Sequence, residues 1–211
     1  MKKLLLLFIV VTGCSKPIFK SNWSTEKSPD TFNARFETSK GSFELQITRN
    51  YSPLGVDRFY QLLKHRLYDN TLFYRVRSNW VAQFGIIDSN IRHKWGAFKL
   101  PDEKVILSNK RGTIAFARDG KDSRDFDLFI NLKDNTQLDT KEVKGVIGYP
   151  PFGIVTRGMK VVDSLYSGYG DIVFKHEKTM YSNRSAFLDT FPNLDLIRKA
   201  YILKKNIQSE N

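Results

Sequence analysis

The stretch "TLFYRVRSNWVAQFG", residues 71–85, is the part of the chain from which the fold can be read outward. Aromatic and β-branched residues dominate "TLFYRV" and "WVAQFG", which predicts two strands. The first strand nevertheless holds Arg75 among its aromatic residues, and the second holds Gln83. Either Arg75 simply points to solvent, or the two strands carry a binding face with one cationic donor. The stretch by itself is compatible with both interpretations.

Other short alternating segments predict a mainly β domain around this pair of strands. "ARFETSKGSFELQIT" indicates two strands joined by a Lys–Gly turn, with Phe43, Leu45 and Ile47 on one face. Further strands are predicted in "NKRGTIAFAR", in "DLFINL" and around Phe152–Val155. Many short strands with two or three helices favour a β-rich barrel over alternating β-α units.

Three segments have the residue spacing of helices. "SPLGVDRFYQLLKHR" predicts a helix that Ser52 caps and Pro53 begins. Its predicted buried face consists of Val56, Phe59, Tyr60 and Leu63. A short helix is predicted in "GMKVVDSLY", and a C-terminal one in "NLDLIRKAYILKK", where Leu194, Ile197 and Tyr201 fall on one stripe. Residues 88–107 show no clear period and are predicted to be mostly loop.

Composition and charge limit the classes of function. A chain of 211 residues with 41% hydrophobic residues suits one domain with a sizeable core, which we expect to be monomeric. The formal net charge of +12 is compatible with an anionic membrane surface or with nucleic acid as a partner. Because the basic residues are scattered among acidic ones, solvated faces are the better explanation, and we expect no nucleic-acid partner.

The N-terminus has the pattern of an export signal. "MKKLLLLFIVVTGC" carries two lysines, the apolar run Leu4–Val11 and small residues that end at Cys14. The apolar run is too short to span a bilayer as a helix, so residues 1–13 are interpreted as a secretory signal peptide. "VTGC" resembles the lipobox of bacterial lipoproteins, which implies a lipid on the Cys14 thiol. The alternative is an ordinary signal peptide with an incidental cysteine.

These features predict an address and a domain organisation. Ser15 after the cysteine resembles the sorting pattern for the outer membrane, so we expect a lipid-anchored protein of the bacterial envelope that faces the periplasm. Cys14 is the single cysteine, which excludes an intrachain disulfide. Residues 14–31 are polar with two prolines and are predicted to be a flexible tether. The domain is expected over residues 32–205, followed by a tail over 206–211.

The residue sets of common catalytic sites are absent from the sequence. The three histidines are far apart and lack metal-ligand spacing, and the one cysteine is assigned to the lipid. No glycine-rich loop stands between a strand and a helix to hold phosphate. We therefore expect no metal and no cofactor, and a chemistry that needs no nucleophile.

Six blocks of sequence, in order from about residue 33 to 166, resemble the cyclophilin-type peptidyl-prolyl cis–trans isomerases. They are "SKGSFELQI", "SPLGVDRFYQLLKHRLYDNTLFYRV", "WVAQFGI", "NKRGTIAFAR", "DSRDFDLFINLKDNTQLD" and "PPFGIVTRGMKVVDSL". The later "GYGD" and "FPNLDLIRKA" resemble a bacterial lipoprotein branch. The resemblance implies a closed eight-stranded antiparallel barrel capped by two helices, to which the sequence pattern adds the C-terminal helix. It also implies proline-containing peptides and folding envelope proteins as partners.

The resemblance also implies roles for particular residues. Arg75 corresponds to the catalytic arginine, which would donate a hydrogen bond to the prolyl nitrogen in the twisted transition state. Gln83 corresponds to the residue that holds this arginine and the substrate backbone. Plain core is the alternative for the residues that match the proline slot, which are Trp80, Val81, Phe129 and Leu138. Ala117 and Arg118 match the stretch whose main chain pairs with the peptide.

Three residues depart from the family pattern. Asp127 stands where the family usually has Gln, Gln137 where many members have Trp, and Tyr149 near the family's His. We expect Asp127 and Tyr149 to contact substrate. Asp127 is expected to face the same slot as Arg75, where it would either pair with the guanidinium or recognise the peptide. A non-catalytic module that binds proline-containing peptides is therefore the alternative to an isomerase.

Overall fold

A closed antiparallel barrel forms the body of the protein. The computed structural model describes residues 19–204, and ten strands lie within that range. Eight of them close into a ring in the order β1-β10-β3-β4-β6-β5-β9-β2, while β7 and β8 form a separate hairpin. The strands are β1 Thr31–Thr38, β2 Gly41–Thr48, β3 Thr71–Arg77, β4 Val81–Gly85, β5 Thr113–Phe116, β6 Leu128–Asn131, β7 Glu142–Val143, β8 Val146–Ile147, β9 Pro151–Arg157 and β10 Asp195–Ile202. The predicted mainly β fold with an eight-stranded barrel is confirmed.

Five α-helices accompany the barrel in the described part of the chain. They are α1 Pro53–Lys64, α2 Ser89–Gly96, α3 Met159–Asp163, α4 Glu177–Ser182 and α5 Arg184–Thr190. Helix α1 begins at Pro53 as predicted, but the Ser52 side chain does not cap it. Its first amides are satisfied instead by Glu103, whose carboxylate accepts from Leu54 at 2.8 Å and Gly55 at 3.1 Å. A carboxylate also complements the positive end of the helix.

An aromatic core fills the barrel because alternate residues of each strand face inward. The predicted inward face of β2 is confirmed, with Phe43, Leu45 and Ile47 almost fully buried. The rings of Phe36 and Phe43 stack at 5.0 Å between β1 and β2. A second cluster lies outside the barrel, where Leu72 and Tyr74 of β3 pack against the chain that precedes β10. The residues that cover them include Val173, Met180, Phe187 and Phe191.

The predicted C-terminal helix is wrong, because residues 195–202 form the strand that closes the barrel. Ile197 and Ala200 both face the core although they are three residues apart. A register shift in the pairing of β1 with β10 places Thr38 opposite Ile197 and Glu37 opposite Lys199, which leaves Arg198 as an extra residue. A bulge of this kind gives apolar residues a spacing that resembles a helical stripe.

Two segments without a clear sequence period are more ordered than predicted. Residues 88–107 were expected to be mostly loop, but Asp88 caps α2 by accepting from the amides of Asn90 and Ile91. Residues 19–30 do not behave as a free tether. Trp23 stacks on His65 at 3.7 Å between ring centroids, and the Gln61 amide donates to the carbonyls of Ser24 and Glu26.

The ends of the chain carry predictions that lie outside the described residues. These are the signal peptide over 1–13, Cys14 with residues 15–18, and the tail over 206–211. Among residues 19–204, no helix has the length and apolar character needed to cross a bilayer.

Candidate active site

Strand register brings four outward residues into one row across the barrel. Arg75 of β3 lies directly opposite Gln83 of β4, Gln83 lies opposite Phe129 of β6, and Phe129 lies opposite Ala115 of β5. Directly opposed residues on antiparallel strands have their Cβ atoms about 4.5–5.5 Å apart. The row therefore joins a cation, an amide and an apolar surface on one outer face.

An irregularity in β3 is what places Arg75 on this face. The pairing of β3 with β4 shifts between Leu72 and Arg75. Phe73 and Val76 point into the core, while Tyr74 belongs to the outer cluster and Arg75 lines the outer groove. Two successive outward residues break the alternation of a regular strand, and a bulge permits that. The position of Arg75 among aromatic residues, which the sequence left ambiguous, follows from this shift.

The groove beside Arg75 has a volume of about 240 Å³ and an apolar floor. Val81, Ala115, Phe129 and Leu138 form a separate buried cluster beneath it. Nine of the ten residues predicted for substrate contact or catalysis line this groove, namely Arg75, Trp80, Val81, Gln83, Ala117, Arg118, Phe129, Leu138 and Tyr149. Trp80, Val81, Phe129 and Leu138 all line the groove, and they also pack together in this cluster. The four residues therefore form both the wall of the slot and a small core beneath it.

Three buried asparagines hold the loops around the groove. Asn135 donates to the carbonyl of Trp80 at 2.8 Å and to the side chain of Asn131 at 2.8 Å. Asn131 in turn donates to Asn109, which donates to the carbonyl of Tyr149 at 2.8 Å. All three asparagines have no exposed surface. A buried hydrogen-bond network of this kind fixes the loops that carry the slot residues.

The guanidinium of Arg75 is held on three sides. Nη1 donates to Oε1 of Gln83 at 2.9 Å, and Nε donates to Oδ1 of Asp171 at 2.6 Å. The ring centroid of Phe174 lies 5.3 Å from the guanidinium carbon. Within residues 19–204, no hydrogen bond engages Nη2. One N–H edge of a fixed cation therefore remains available at the side of the groove.

A chain of hydrogen bonds behind the groove fixes Gln83. Its Nε2 donates to the hydroxyl of Tyr74 at 2.8 Å, and that hydroxyl donates to Oδ1 of Asp127 at 2.9 Å. Arg92 donates to Oδ2 of Asp127 at 3.1 Å. Burial raises the pKa of Tyr74 well above its usual value, so the phenol stays protonated and able to donate. The amide of Gln83 thus has one orientation, with its oxygen toward Arg75.

Asp127 does not occupy the position expected for it. Its carboxylate pairs with Arg92 and not with Arg75, and it lines a neighbouring cavity together with Glu177 and Tyr181. Of the two alternatives for Asp127, the ion pair with Arg75 is therefore wrong, whereas recognition of substrate stays a prediction. Tyr74 and Arg92 both donate hydrogen bonds to Asp127 and so hold its carboxylate in this cavity.

Arg118 and Tyr149 form one wall of the groove together. The Arg118 guanidinium donates to the carbonyls of Val146 and Gly148 and lies over the Tyr149 ring, 4.8 Å from its centroid. The same ring meets Phe129 edge-on at 5.8 Å. The amide of Ala117 already donates to the carbonyl of Asp127, so it belongs to the barrel ladder. The main chain at Ala117 and Arg118 was predicted to pair with the peptide. In the structure, the Ala117 amide is already bonded within the barrel, and Arg118 contributes its side chain to the groove wall.

Sequence reasoning missed Asp171 and Phe174 as parts of the groove. Both lie on the 3-10 segment Gly170–His176, which begins within the "GYGD" motif, so that Asp171 is the last residue of the motif. The outer cluster positions this segment through Val173, which is fully buried against it. In the sequence, the motif served only to show a resemblance to the family. No local pattern connects it with β3, which lies almost one hundred residues earlier.

The geometry limits what chemistry the groove can perform. Among the described residues, no group of three His, Cys, Asp or Glu side chains is arranged to hold a metal ion. The groove offers a fixed cationic donor beside an apolar slot, so it can bind a small apolar ring and donate a hydrogen bond at its edge. Such a site stabilises a change in the electron distribution of a bound amide without forming a covalent bond.

A closed antiparallel barrel with an outer apolar groove and a fixed guanidinium defines a class of peptide-binding isomerase domains. The chain belongs to the cyclophilin-type peptidyl-prolyl cis-trans isomerase/CLD family, whose model matches residues 33–182.

Curated relatives agree with this assignment. The chain is 34% identical over 131 residues to a peptidyl-prolyl cis-trans isomerase of Acinetobacter baylyi, covering 61% of this chain and 69% of that protein. It is 32% identical over 162 residues to peptidyl-prolyl cis-trans isomerase A of Dickeya dadantii, covering 76% and 83%.

Solved structures agree in fold. A cyclophilin-type peptidyl-prolyl cis-trans isomerase of Cryptosporidium parvum superposes with a TM-score of 0.59 at 18% identity, covering 83% of this chain and 99% of that one. The same protein crystallised in the presence of the dipeptide Ala-Pro gives a TM-score of 0.57 at 16% identity, covering 82% and 99%.

Proposed function

We propose that this protein accelerates the cis–trans isomerisation of X-Pro bonds, with Arg75 stabilising the twisted transition state. The observation that carries the proposal is the guanidinium of Arg75, bonded to Gln83 beside the slot of Trp80, Phe129 and Leu138. Membership of the cyclophilin family and the names of the relatives support the same activity.

The chemistry follows from the electronic structure of the amide. Rotation about the X-Pro bond has a barrier of about 20 kcal/mol because the amide must lose its resonance. In the planar ground state, the lone pair of the prolyl nitrogen is delocalised and accepts hydrogen bonds poorly. In the twisted state the lone pair is localised on nitrogen and accepts well. A donor fixed at that point binds the transition state better than either planar isomer, which is catalysis.

Each groove residue has a part in this proposal. The apolar floor holds the proline ring, so that rotation moves the preceding residue and not the ring. Gln83 orients the donor, and the Nη2 edge of Arg75, which has no partner within residues 19–204, faces the prolyl nitrogen. Because the guanidinium is already oriented, little reorganisation is needed when the amide twists.

The proposal predicts that activity depends on Arg75. Arg75→Ala should lower kcat/KM for a short Xaa-Pro peptide by about a hundredfold to a thousandfold, as is typical for loss of one transition-state donor. The measurement is protease-coupled isomerisation, repeated by NMR exchange spectroscopy on an uncleavable peptide.

Arg157→Ala is the control, since Arg157 is a well-exposed arginine of β9, outside the groove, whose Nε lies 3.8 Å from Glu44. It should behave as wild type. Equal rates for wild type and Arg75→Ala, with intact folds by circular dichroism, would refute the assigned role of Arg75.

A module that binds proline-containing peptides without useful turnover is the second candidate. The observation in its favour is the carboxylate of Asp171 against Arg75, since a neutralised cation would be a weaker donor. Under that alternative, the protein would bind an Ala-Pro peptide in calorimetry but accelerate its isomerisation no more than Arg75→Ala does.

The cellular setting belongs to the same proposal. The lipobox-like "VTGC" supports a lipid on Cys14, and Ser15 supports an outer-membrane location facing the periplasm. The clients would then be proline-containing segments of envelope proteins as they fold. The same proposal takes the protein to act as a monomer.

A further inference from the structure

We propose that Asp171 is a positioning residue for the reaction, holding Arg75 by its Nε so that Nη2 is presented to the bound X-Pro bond. This inference rests on the proposed isomerase function of the same groove.

The contact is short and directional. Nε of Arg75 lies 2.6 Å from Oδ1 of Asp171, and Nη1 of Arg77 lies 3.2 Å from Oδ2 of the same carboxylate. Charge-assisted hydrogen bonds at such distances are among the stronger ones in proteins. Asp171 therefore bridges two arginines that project from the same strand, β3.

The backbone brings Asp171 to this position in a defined way. Gly170 has φ of +49°, a left-handed conformation that favours glycine. The segment Gly170–His176 then packs through Val173, which is fully buried among the outer-cluster residues around Leu72 and Tyr74. The carboxylate is thus carried by a segment anchored on β3 itself and does not depend on a free loop.

Two bonded nitrogens fix the rotation of a guanidinium. With Nη1 on Gln83 and Nε on Asp171, the planar group cannot turn about its terminal bonds without breaking one of these contacts. Phe174 covers one face of the plane, with its ring centroid 5.3 Å from the guanidinium carbon. The remaining edge has a single direction, which is the preorganisation that transition-state stabilisation requires.

The charges favour positioning over inhibition. One carboxylate serves both Arg75 and Arg77, so the cluster keeps a net positive charge. Half of the Asp171 side chain is exposed to solvent, which screens its attraction. The Arg75 side chain is only 18% exposed and faces the groove. The carboxylate accepts from Nε, and Nη2 has no hydrogen-bond partner among residues 19–204.

The experiment measures kcat and KM separately on the full chain with an Xaa-Pro peptide. Asp171→Ala should lower kcat about tenfold, equivalent to about 1.4 kcal/mol, with little change in KM. Asp171→Asn keeps an oxygen acceptor for Nε and should recover most of that loss. A purely structural role would instead lower the melting temperature and affect both constants.

Two comparisons isolate the effect. Asp163→Ala removes a carboxylate of similar exposure that pairs with Arg111 away from the groove, and it should leave both constants unchanged. In an Arg75→Ala background, Asp171→Ala should cause no further loss of residual activity, because its effect acts through Arg75.

The outcomes distinguish a failure of the Asp171 inference from a failure of the proposed isomerase function. Turnover that depends on Arg75 but is unchanged or raised by Asp171→Ala would overturn this inference and leave the proposed function standing. Turnover that is absent from wild type, or indifferent to Arg75, would overturn the proposed function and this inference with it.

Discussion

At the scale of the residue, Asp127 shows how burial decides the state of a carboxyl group. Burial raises its pKa above the usual value even though Arg92 and Tyr74 both favour the ionised form. The folded protein therefore holds the proton more tightly than the unfolded chain does. The stability that this group contributes is present below the unfolded pKa of about 4 and is lost as pH rises through the folded pKa.

Replacing Asp127 with asparagine should remove the loss of stability that ionisation of Asp127 causes as the pH rises. Asp127→Asn keeps the acceptor oxygen for Tyr74, and Arg92 keeps its bond to the carbonyl of Ile86. We expect the variant to gain stability over wild type as pH rises from 4 to 7, and kcat/KM to stay within about twofold because Asp127 does not touch Arg75. Urea unfolding at each pH provides the measurement. A variant that loses stability over this range would contradict the argument.

The same scale shows what could be predicted from the sequence. Arg75, Gln83 and the slot residue Phe129 were found because a resemblance carries residue types at fixed spacing. The partner of Asp127 was not found, because Arg92 lies on a helix that the sequence pattern did not reveal. Asp171 was missed for a related reason, since its contact with Arg75 depends on tertiary packing between distant segments.

At the scale of the element, regular alternation was predictable and its interruptions were not. Strands β1 and β2 alternate cleanly, and their turn and inward face agree with the prediction. In β10 a bulge leaves Ile197 and Ala200 on one face, and this spacing was mistaken for a helix. Periodicity cannot distinguish these cases, because the partner strand that defines the bulge lies far away in the sequence.

Asp57 on α1 joins three elements and gives a second prediction. Arg49 donates to both of its carboxylate oxygens at 2.9 Å, and the amide of Ser28 donates at 2.9 Å. Burial raises the pKa of Asp57, but these hydrogen bonds outweigh burial and lower the pKa to about 2. The stabilisation is present above the unfolded pKa near 4 and is lost as pH falls toward 2.

Asp57→Asn should therefore cost about 2 kcal/mol of unfolding free energy at pH 7, and almost nothing near pH 2. Denaturant titrations at pH 7 and in the acid range measure the difference. The exposed pair of Asp163 with Arg111 provides the control, since Asp163→Asn should cost less than about 1 kcal/mol. An Asp57→Asn penalty that stays constant down to pH 2 would show that the ion pair is not its source.

At the scale of the whole molecule, the docked N-terminal segment sets how far the barrel can lie from an anchor. Phe19 packs against Trp95 and Phe98, with ring centroids 5.1 and 5.0 Å apart. Only five residue steps separate Phe19 from Cys14, a reach of at most about 18 Å. A lipid on Cys14 would thus place the Trp95 side of the barrel at the membrane surface.

This geometry can be measured with the protein's own tryptophans. On vesicles that contain a headgroup dye, energy transfer from Trp95 should exceed that from Trp80, each measured with the other two tryptophans replaced by phenylalanine. Cys14→Ala should abolish transfer from both and release the chain from the membrane fraction. An unmodified Cys14 in a chain processed elsewhere, found by mass spectrometry, would contradict the anchor.

The closed barrel has a further consequence for a protein whose substrates are extended chains. An open sheet offers unpaired N–H and C=O groups to any extended segment, and so can recruit it as an added strand and seed aggregation. Here each of the eight barrel strands is paired on both sides. Of the described strands, only the two-residue β7 and β8 have a free side. An unfolded client is thus offered a small side-chain groove and hardly any backbone template, which lets the protein release what it binds.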